Sequence, residues 1–262
     1  MSQSVLRSLG RFAAATLLAL AFHAAAQPAA PLGAITPENF KKQKAAPFNL
    51  TGTWQHELKG PQSWKFVPEK FELTPEAQKH YDAGKKALAE NKVYRDDIGQ
   101  CWPAGMPLIM TRVWPFVLLQ EPTALYMISG FMNSLRVINM DGRPHTDPDL
   151  VVRTFNGDSI GKFEGDALVI DTTGFVDHHH WIDSGIPASD ALHIVERVRL
   201  VDGGKKMQIE YTLTDPKSWE GEWKVTKQWN RVDSRDMEIA EVECLPDLNT
   251  HIPSTQSKEN VR

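Results

Sequence analysis

What this 262-residue chain lacks narrows its function first. It has no G-x-S-x-G element, and Ser184-Gly185 and Ser159-Ile160-Gly161 lack the strand–turn–helix setting that exposes a serine nucleophile. It has no glycine-rich phosphate loop, because Asp202-Gly203-Gly204-Lys205 reads as a hairpin turn. A nucleotide cofactor is therefore not expected, and nothing else in the chain calls for a cofactor. Lysine and arginine form no cluster and the formal net charge is −4, which argues against nucleic acid and anionic membranes as partners. Only one apolar run stands out, near the start, and it is too short to span a bilayer.

That run has the layout of a cleavable signal peptide. Arg7 and Arg11 precede the apolar segment from Phe12 to Phe22, and Ala24-Ala25-Ala26 supplies the small residues of a cleavage site. Cleavage after Ala26 removes two arginines and no acids, taking the formal charge from −4 to −6. The expected location is periplasmic or secreted, with no membrane insertion after cleavage. In an oxidising compartment the two cysteines, Cys101 and Cys244, read as a disulfide. Closing so long a loop is worth roughly 5 kcal/mol on the chain-entropy estimate.

The remaining organisation is that of a β domain. Residues 27–47 form a Pro/Ala/Lys-rich leader, 48–245 the domain, and 246–262 a polar tail. Thr74-Pro75-Glu76 starts the only long helix, near 75–91, with Thr as N-cap and Pro in the first turn. Short strand candidates follow at 114–120, 123–129, 134–140, 159–163, 167–172, 191–201, 206–213, 222–230 and 236–244. Turn chemistry such as Glu121-Pro122, Asp141-Gly142 and Gly165-Asp166 separates them. The pattern is an antiparallel meander, closed into a barrel or folded as a sandwich. The stretch 176–190 is irregular and carries His178-His179-His180; three consecutive residues of a strand do not all turn to one ion, so a solvated loop is the favoured reading over a metal set of His178 and His180 with His193 or Asp183. No metal site is expected.

One hairpin fixes a register. With Gly203-Gly204 as the turn, one face holds Leu200/Met207, Val198/Ile209, Glu196/Tyr211 and Ile194/Leu213, and the other Arg199/Gln208 and Arg197/Glu210. The first face is core, so Glu196 points inward opposite the Tyr211 hydroxyl. In 222–230 Lys227 shares the apolar face with Trp223, Val225 and Trp229, and in 134–140 Arg136 shares one with Ile138 and Met140. Ionisable residues on core faces need partners. Glu196, Tyr211, Lys227 and Arg136 are thus either a polar site in a cavity or an ion pair that closes the fold. His193, on the outer face, is placed to reach Asp183, which makes a second candidate dyad.

The run Ser159-Ile-Gly-Lys-Phe-Glu-Gly-Asp-Ala-Leu-Val-Ile-Asp-Thr-Thr-Gly-Phe175 resembles the signature S-I-G-x-W-E-G-D-x-L-V-V-D-T-x-G-F of a large uncharacterised family of secreted bacterial proteins. Cys101-Trp-Pro-Ala-Gly-Met-Pro107, Arg136 with Asp141-Gly-Arg-Pro-His145, Trp181-Ile-Asp183 and Leu192-His-Ile-Val-Glu-Arg197 extend the resemblance over roughly Leu50 to Cys244. It implies a lipocalin-like β-barrel with one covering helix, and no established activity. Phe163 replaces the family Trp, Ala188 stands where many members carry His, and His178-His179-His180 has no counterpart.

Three functions fit these residues. The first is a barrel binding a small, mainly apolar ligand with a polar group, using Arg136, Trp181, Trp223 and Trp229. The second is a cofactor-independent isomerase, lyase or hydratase with Glu196 as acid/base, Tyr211 and Lys227 beside it, or the His193–Asp183 dyad. The third is an envelope structural or interaction module without a ligand. The compartment is testable at once: intact mass of periplasmic protein is expected to begin at Gln27, and a full-length Met1 species in the membrane fraction would refute the cleavage.

Overall fold

The computed structural model describes residues 46–95, 97–183 and 185–246, without the side chains of Pro61, Gln62 and Asp236. The expected signal peptide 1–26, nearly all of the leader, and the tail from 247 lie outside the described residues. Among the described residues no helix is long and apolar enough to cross a membrane.

Nine strands close a barrel in the order β1-β11-β10-β9-β6-β5-β4-β3-β2. They are β1 (Gly52–His56), β2 (Phe116–Gln120), β3 (Ala124–Ser129), β4 (Leu135–Asn139), β5 (Asp158–Glu164), β6 (Ala167–Thr173), β9 (His193–Val201), β10 (Lys206–Thr214) and β11 (Trp223–Val232). The short strands β7 (Trp181–Asp183) and β8 (Ile186–Pro187) pair separately. Eight of the nine contacts around the barrel are antiparallel; β4 and β5 run parallel through Ile138↔Ser159 and Asn139↔Ile160. The meander is therefore interrupted once, because segment 140–157 crosses the outside of the wall and re-enters at the opposite end.

The turn-based register holds along the whole hairpin, with Met207↔Leu200, Ile209↔Val198, Tyr211↔Glu196 and Leu213↔Ile194. The outer face differs in its ion pairs: Arg199 reaches Glu210 diagonally at 3.0 Å, and Arg197 reaches Glu164 at 3.2 Å. Trp223, Lys227 and Trp229 of β11 point inward, as do Arg136 and Ile138 of β4. The expected strand 236–244 is absent, since β1 already pairs with β11 and leaves no free edge there. That segment instead lies against the mouth connections, with Asn133 donating to the Val242 carbonyl at 3.0 Å and Cys244 bonded to Cys101.

The connections 57–115, 130–134, 174–192 and 215–222 all leave the barrel at one end, the mouth, while short turns close the other. The helix α1 (Pro75–Ala89) lies in the first of these. Thr74 caps it, its hydroxyl accepting from the Ala77 amide, and the Thr74 amide donates to the Ser218 carbonyl at 3.0 Å, pinning the helix to the β10–β11 loop. Its buried side is small: Ala77, Gly84 and Ala87. Gly84 lowers helix propensity for a packing reason, because Gly185, at φ +77°, comes so near that a Cβ there would stand 3.4 Å from the Gly84 Cα and 3.0 Å from the His80 carbonyl.

Because Cys101 lies before every strand but β1 and Cys244 after the last, their bond spans 143 residues and fastens the C-terminal segment to the mouth. Thiol titration of unfolded, unreduced protein is expected to find no free SH. Cys101→Ser with Cys244→Ser is expected to cost roughly 2–5 kcal/mol in urea unfolding. Two titratable thiols in periplasmic material would show the pairing wrong.

Candidate functional site

Inside the barrel, four neighbouring strands each contribute one polar side chain to a single cluster. Arg136 of β4 donates through Nη1 to Glu196 Oε1 of β9 at 3.1 Å and through Nη2 to Glu196 Oε2. It also donates to Thr172 Oγ1 of β6 at 2.9 Å and to Ser159 Oγ of β5 at 3.3 Å. The two hydroxyls are bonded to each other at 3.0 Å. Arg136 is 3% exposed and Glu196 1%, so the charges are fully removed from solvent and mutually satisfied. Sequence reasoning found the ions and missed Ser159 and Thr172, although both lie inside the signature run and on the core-facing alternation.

The space beside this pair is small. A cavity of about 20 Å³, lined by Arg136, Glu196 and apolar side chains including Met127, Ile170 and Val198, admits a single water. Tyr211 faces Glu196 as its register partner, with its hydroxyl unbonded among the described residues and its pKa raised well above the usual value by burial and then by the Glu196 charge. Lys227 does not join the cluster. Its ammonium donates to the carbonyls of Ser63 at 2.8 Å and Lys65 at 2.5 Å, on a segment the sequence pattern did not place inside. Burial lowers its pKa to about 8, opposed by the charge of Asp183.

The remaining expected site residues separate. His193 bonds Asp171 at 2.8 Å and not Asp183, because Asp171 is the cross-strand partner of Val195 and lies diagonally beside His193 on the outer wall. This bond raises the His193 pKa, and Asp171 also receives His145 at 2.9 Å. Trp223 stacks on Trp219 at 4.0 Å, and Trp229 packs between His56 and Phe116; both fill the core instead of lining a cavity. The histidine run is not a solvated loop. Only His178 is exposed, His179 stacks on Trp102 at 4.0 Å, and His180 is buried with Nε2 on the Met106 carbonyl at 2.7 Å. Burial holds the His180 pKa at about 4. Among the described residues no group of three or more His, Cys, Asp or Glu is arranged to hold a metal ion.

A preformed cleft lies instead at the mouth. It measures about 360 Å³, and its walls include Trp64, Tyr94, Arg95, Arg112, Trp181 and Asp183. Its organiser is Asp97, 3% exposed, which accepts from Trp181 Nε1 at 2.5 Å and from His179 Nδ1 at 2.8 Å. Arg95 lies over the Trp181 ring, 5.6 Å from its centroid, with its own backbone at φ 46°. Tyr94 bonds His80 of α1 at 2.7 Å, and burial raises the Tyr94 pKa. Arg112 is half-buried, and this burial lowers its pKa, while the Asp183 charge raises it. Sequence reading named Trp181 and Asp183 but not Asp97, Tyr94 or Arg112, which sit in turns without a periodic signal.

No family model matches the chain, and no curated protein does. Solved structures similar to it include the wild-type fluorescent protein UnaG, at 12% identity and TM-score 0.31, covering 70% of this chain and 96% of that one. A secretary abundant heat soluble protein from Ramazzottius varieornatus matches at 8% identity and TM-score 0.32, covering 70% and 94%. Likeness at this level carries no argument; the closed nine-stranded barrel rests on the strand ladder itself. The interior pair is testable apart from any ligand. Glu196→Gln, which leaves the Arg136 charge buried, is expected to lower unfolding free energy by about 3–5 kcal/mol, and adding Arg136→Met to recover much of it. A loss below ~1 kcal/mol in urea unfolding would show that the pair does not hold the barrel together.

Proposed function

We propose that this protein is a small-molecule-binding barrel that takes its ligand in the mouth cleft, and that the ligand is a small planar molecule bearing an acidic group. The observation that carries the reading is the contrast in room: about 360 Å³ at the mouth against about 20 Å³ at the barrel centre. The first is within the range of ligand sites. Trp64, 41% exposed, stands with Tyr94 and Trp181 to supply flat apolar faces. Arg95 and Arg112 supply planar cations that pair with a flat anionic group. Catalysis by Glu196 lacks support, because Arg136 holds both carboxylate oxygens and the void beside them fits only a water.

We also infer that the protein acts in the periplasm or outside the cell and is kin to the secreted family whose signature it resembles. The charged start, the apolar run and Ala24 to Ala26 support the compartment, together with the bonded cysteines.

The test is a titration of the chain from Gln27 with 1-naphthoate and with neutral 1-naphthalenemethanol, followed by tryptophan emission. The carboxylate is expected to bind, and the alcohol to bind at least about tenfold more weakly. Trp181→Ala and Arg112→Leu are each expected to weaken naphthoate by at least about tenfold. Trp114→Ala, outside the cleft, is expected to change nothing. Equal binding of the two probes, or binding indifferent to Trp181 and Arg112, would overturn the reading; no binding by any planar probe would favour a module without a ligand.

A further inference from the structure

The segment Ser63–Val67 belongs to no strand, yet it enters the barrel. Phe66 is fully buried and stands edge-on to the inward-facing Tyr211, their ring centroids 5.0 Å apart. Lys227, on the barrel wall, holds the segment in place. Its ammonium donates to two carbonyl oxygens of the segment and lies 5.1 Å from the Phe66 ring centroid. Two acceptor oxygens on an ammonium, with an apolar ring beside them, have the chemical outline of an apolar molecule ending in a carboxylate.

The polar atoms around this segment point the same way. The Tyr211 hydroxyl, on a residue 1% exposed, has no hydrogen-bond partner among the described residues. His56, 4% exposed, has none at either ring nitrogen. Such orphans are rare in native interiors and call for an explanation. Both residues flank Trp229, at 5.5 Å for His56 and 6.4 Å for Tyr211. Each touches the segment, Tyr211 through Phe66 and His56 through Trp64 at 6.2 Å. Burial, and then the Lys227 charge, hold the His56 pKa at about 4, so its ring is neutral at neutral pH and offers one donor and one acceptor.

We propose that the barrel contains an interior site for an apolar molecule bearing a carboxylate, which Ser63–Val67 occupies as a plug in the absence of ligand. On binding, the carboxylate takes the place of the two carbonyls on Lys227 and receives the Tyr211 hydroxyl, and the apolar part takes the place of the Phe66 ring. The two sites share Trp64, which walls the cleft and belongs to the segment, but their anchoring groups differ: Lys227, Tyr211 and His56 hold the one, Arg95, Arg112 and Trp181 the other. It does not rest on the cleft reading.

Dodecanoate, with neutral dodecanol as control, tests the proposal by calorimetry on the chain from Gln27. Phe66→Ala empties the ring position and is expected to tighten dodecanoate binding at least about tenfold, and dodecanol to bind that variant at least about tenfold more weakly than dodecanoate. Lys227→Met added to Phe66→Ala is expected to remove the gain, whereas Arg112→Leu added to it is expected to change nothing. In the wild type, dodecanoate is expected to raise the rate of tryptic cleavage after Lys65, a readout that stands even where Phe66→Ala fails to fold. Unchanged cleavage after Lys65 at saturating dodecanoate overturns the proposal, as does a folded Phe66→Ala with wild-type affinity. Loss of binding on Arg112→Leu also refutes it, by assigning the probe to the cleft.

Discussion

The buried Arg136–Glu196 pair is the constraint on which the rest of this barrel depends. A guanidinium without water must place its donors on fixed acceptors, and here these come from three other strands, β5, β6 and β9. The cluster therefore sets the relative level of four neighbouring strands at once, including the parallel contact between β4 and β5, which has only two register pairs of its own. A one-residue slip of any of the four would turn its polar side chain outward and leave a charge or a hydroxyl uncompensated. The same cluster occupies the middle of the barrel and leaves room beside it for a single water.

Much of this was legible in the sequence where local chemistry and alternation agreed. The Gly203-Gly204 turn and the period-two pattern placed Glu196, Tyr211 and Lys227 inside. The N-cap Thr74 and Pro75 placed the helix to within two residues of its end. What the pattern did not carry was the choice of partner. Alternation says that Lys227 faces inward, but its acceptors are backbone carbonyls of a non-strand segment, and a carbonyl has no sequence signature. It likewise says that His193 faces outward, without saying whether Asp171 or Asp183 stands nearer. Segment 236–244 alternates like a strand and still is not one, because strand formation needs an open edge and β1 had taken it.

The mouth shows the reverse of this economy. Its long connections contain few regular elements, so their order comes from specific side chains: Asp97 binding Trp181 and His179, Thr74 on the β10–β11 loop, Lys227 on Ser63 and Lys65. Each is a polar group satisfied at long range, and none is visible as a motif. The aromatic and cationic walls of the cleft follow from this packing, since Trp64 and Tyr94 of connection 57–115 meet Trp181 of connection 174–192 only when both connections are in place.

The neighbour relation of β1 and β11 has a consequence for the order of events when the chain is made. Trp54 pairs with Arg231 and His56 with Trp229, so the first strand of the barrel waits for the last. A chain delivered from its N-terminus exposes the β1 edge and the inner faces of eight strands until the final ten residues of the sheet arrive. Closure is then a single late step of very high sequence separation, the kind of contact whose loop entropy slows folding most. Until that step the unsealed edges of β1 and β10 are open to pairing with other chains, a hazard to folding that leaves the stability of the closed barrel untouched.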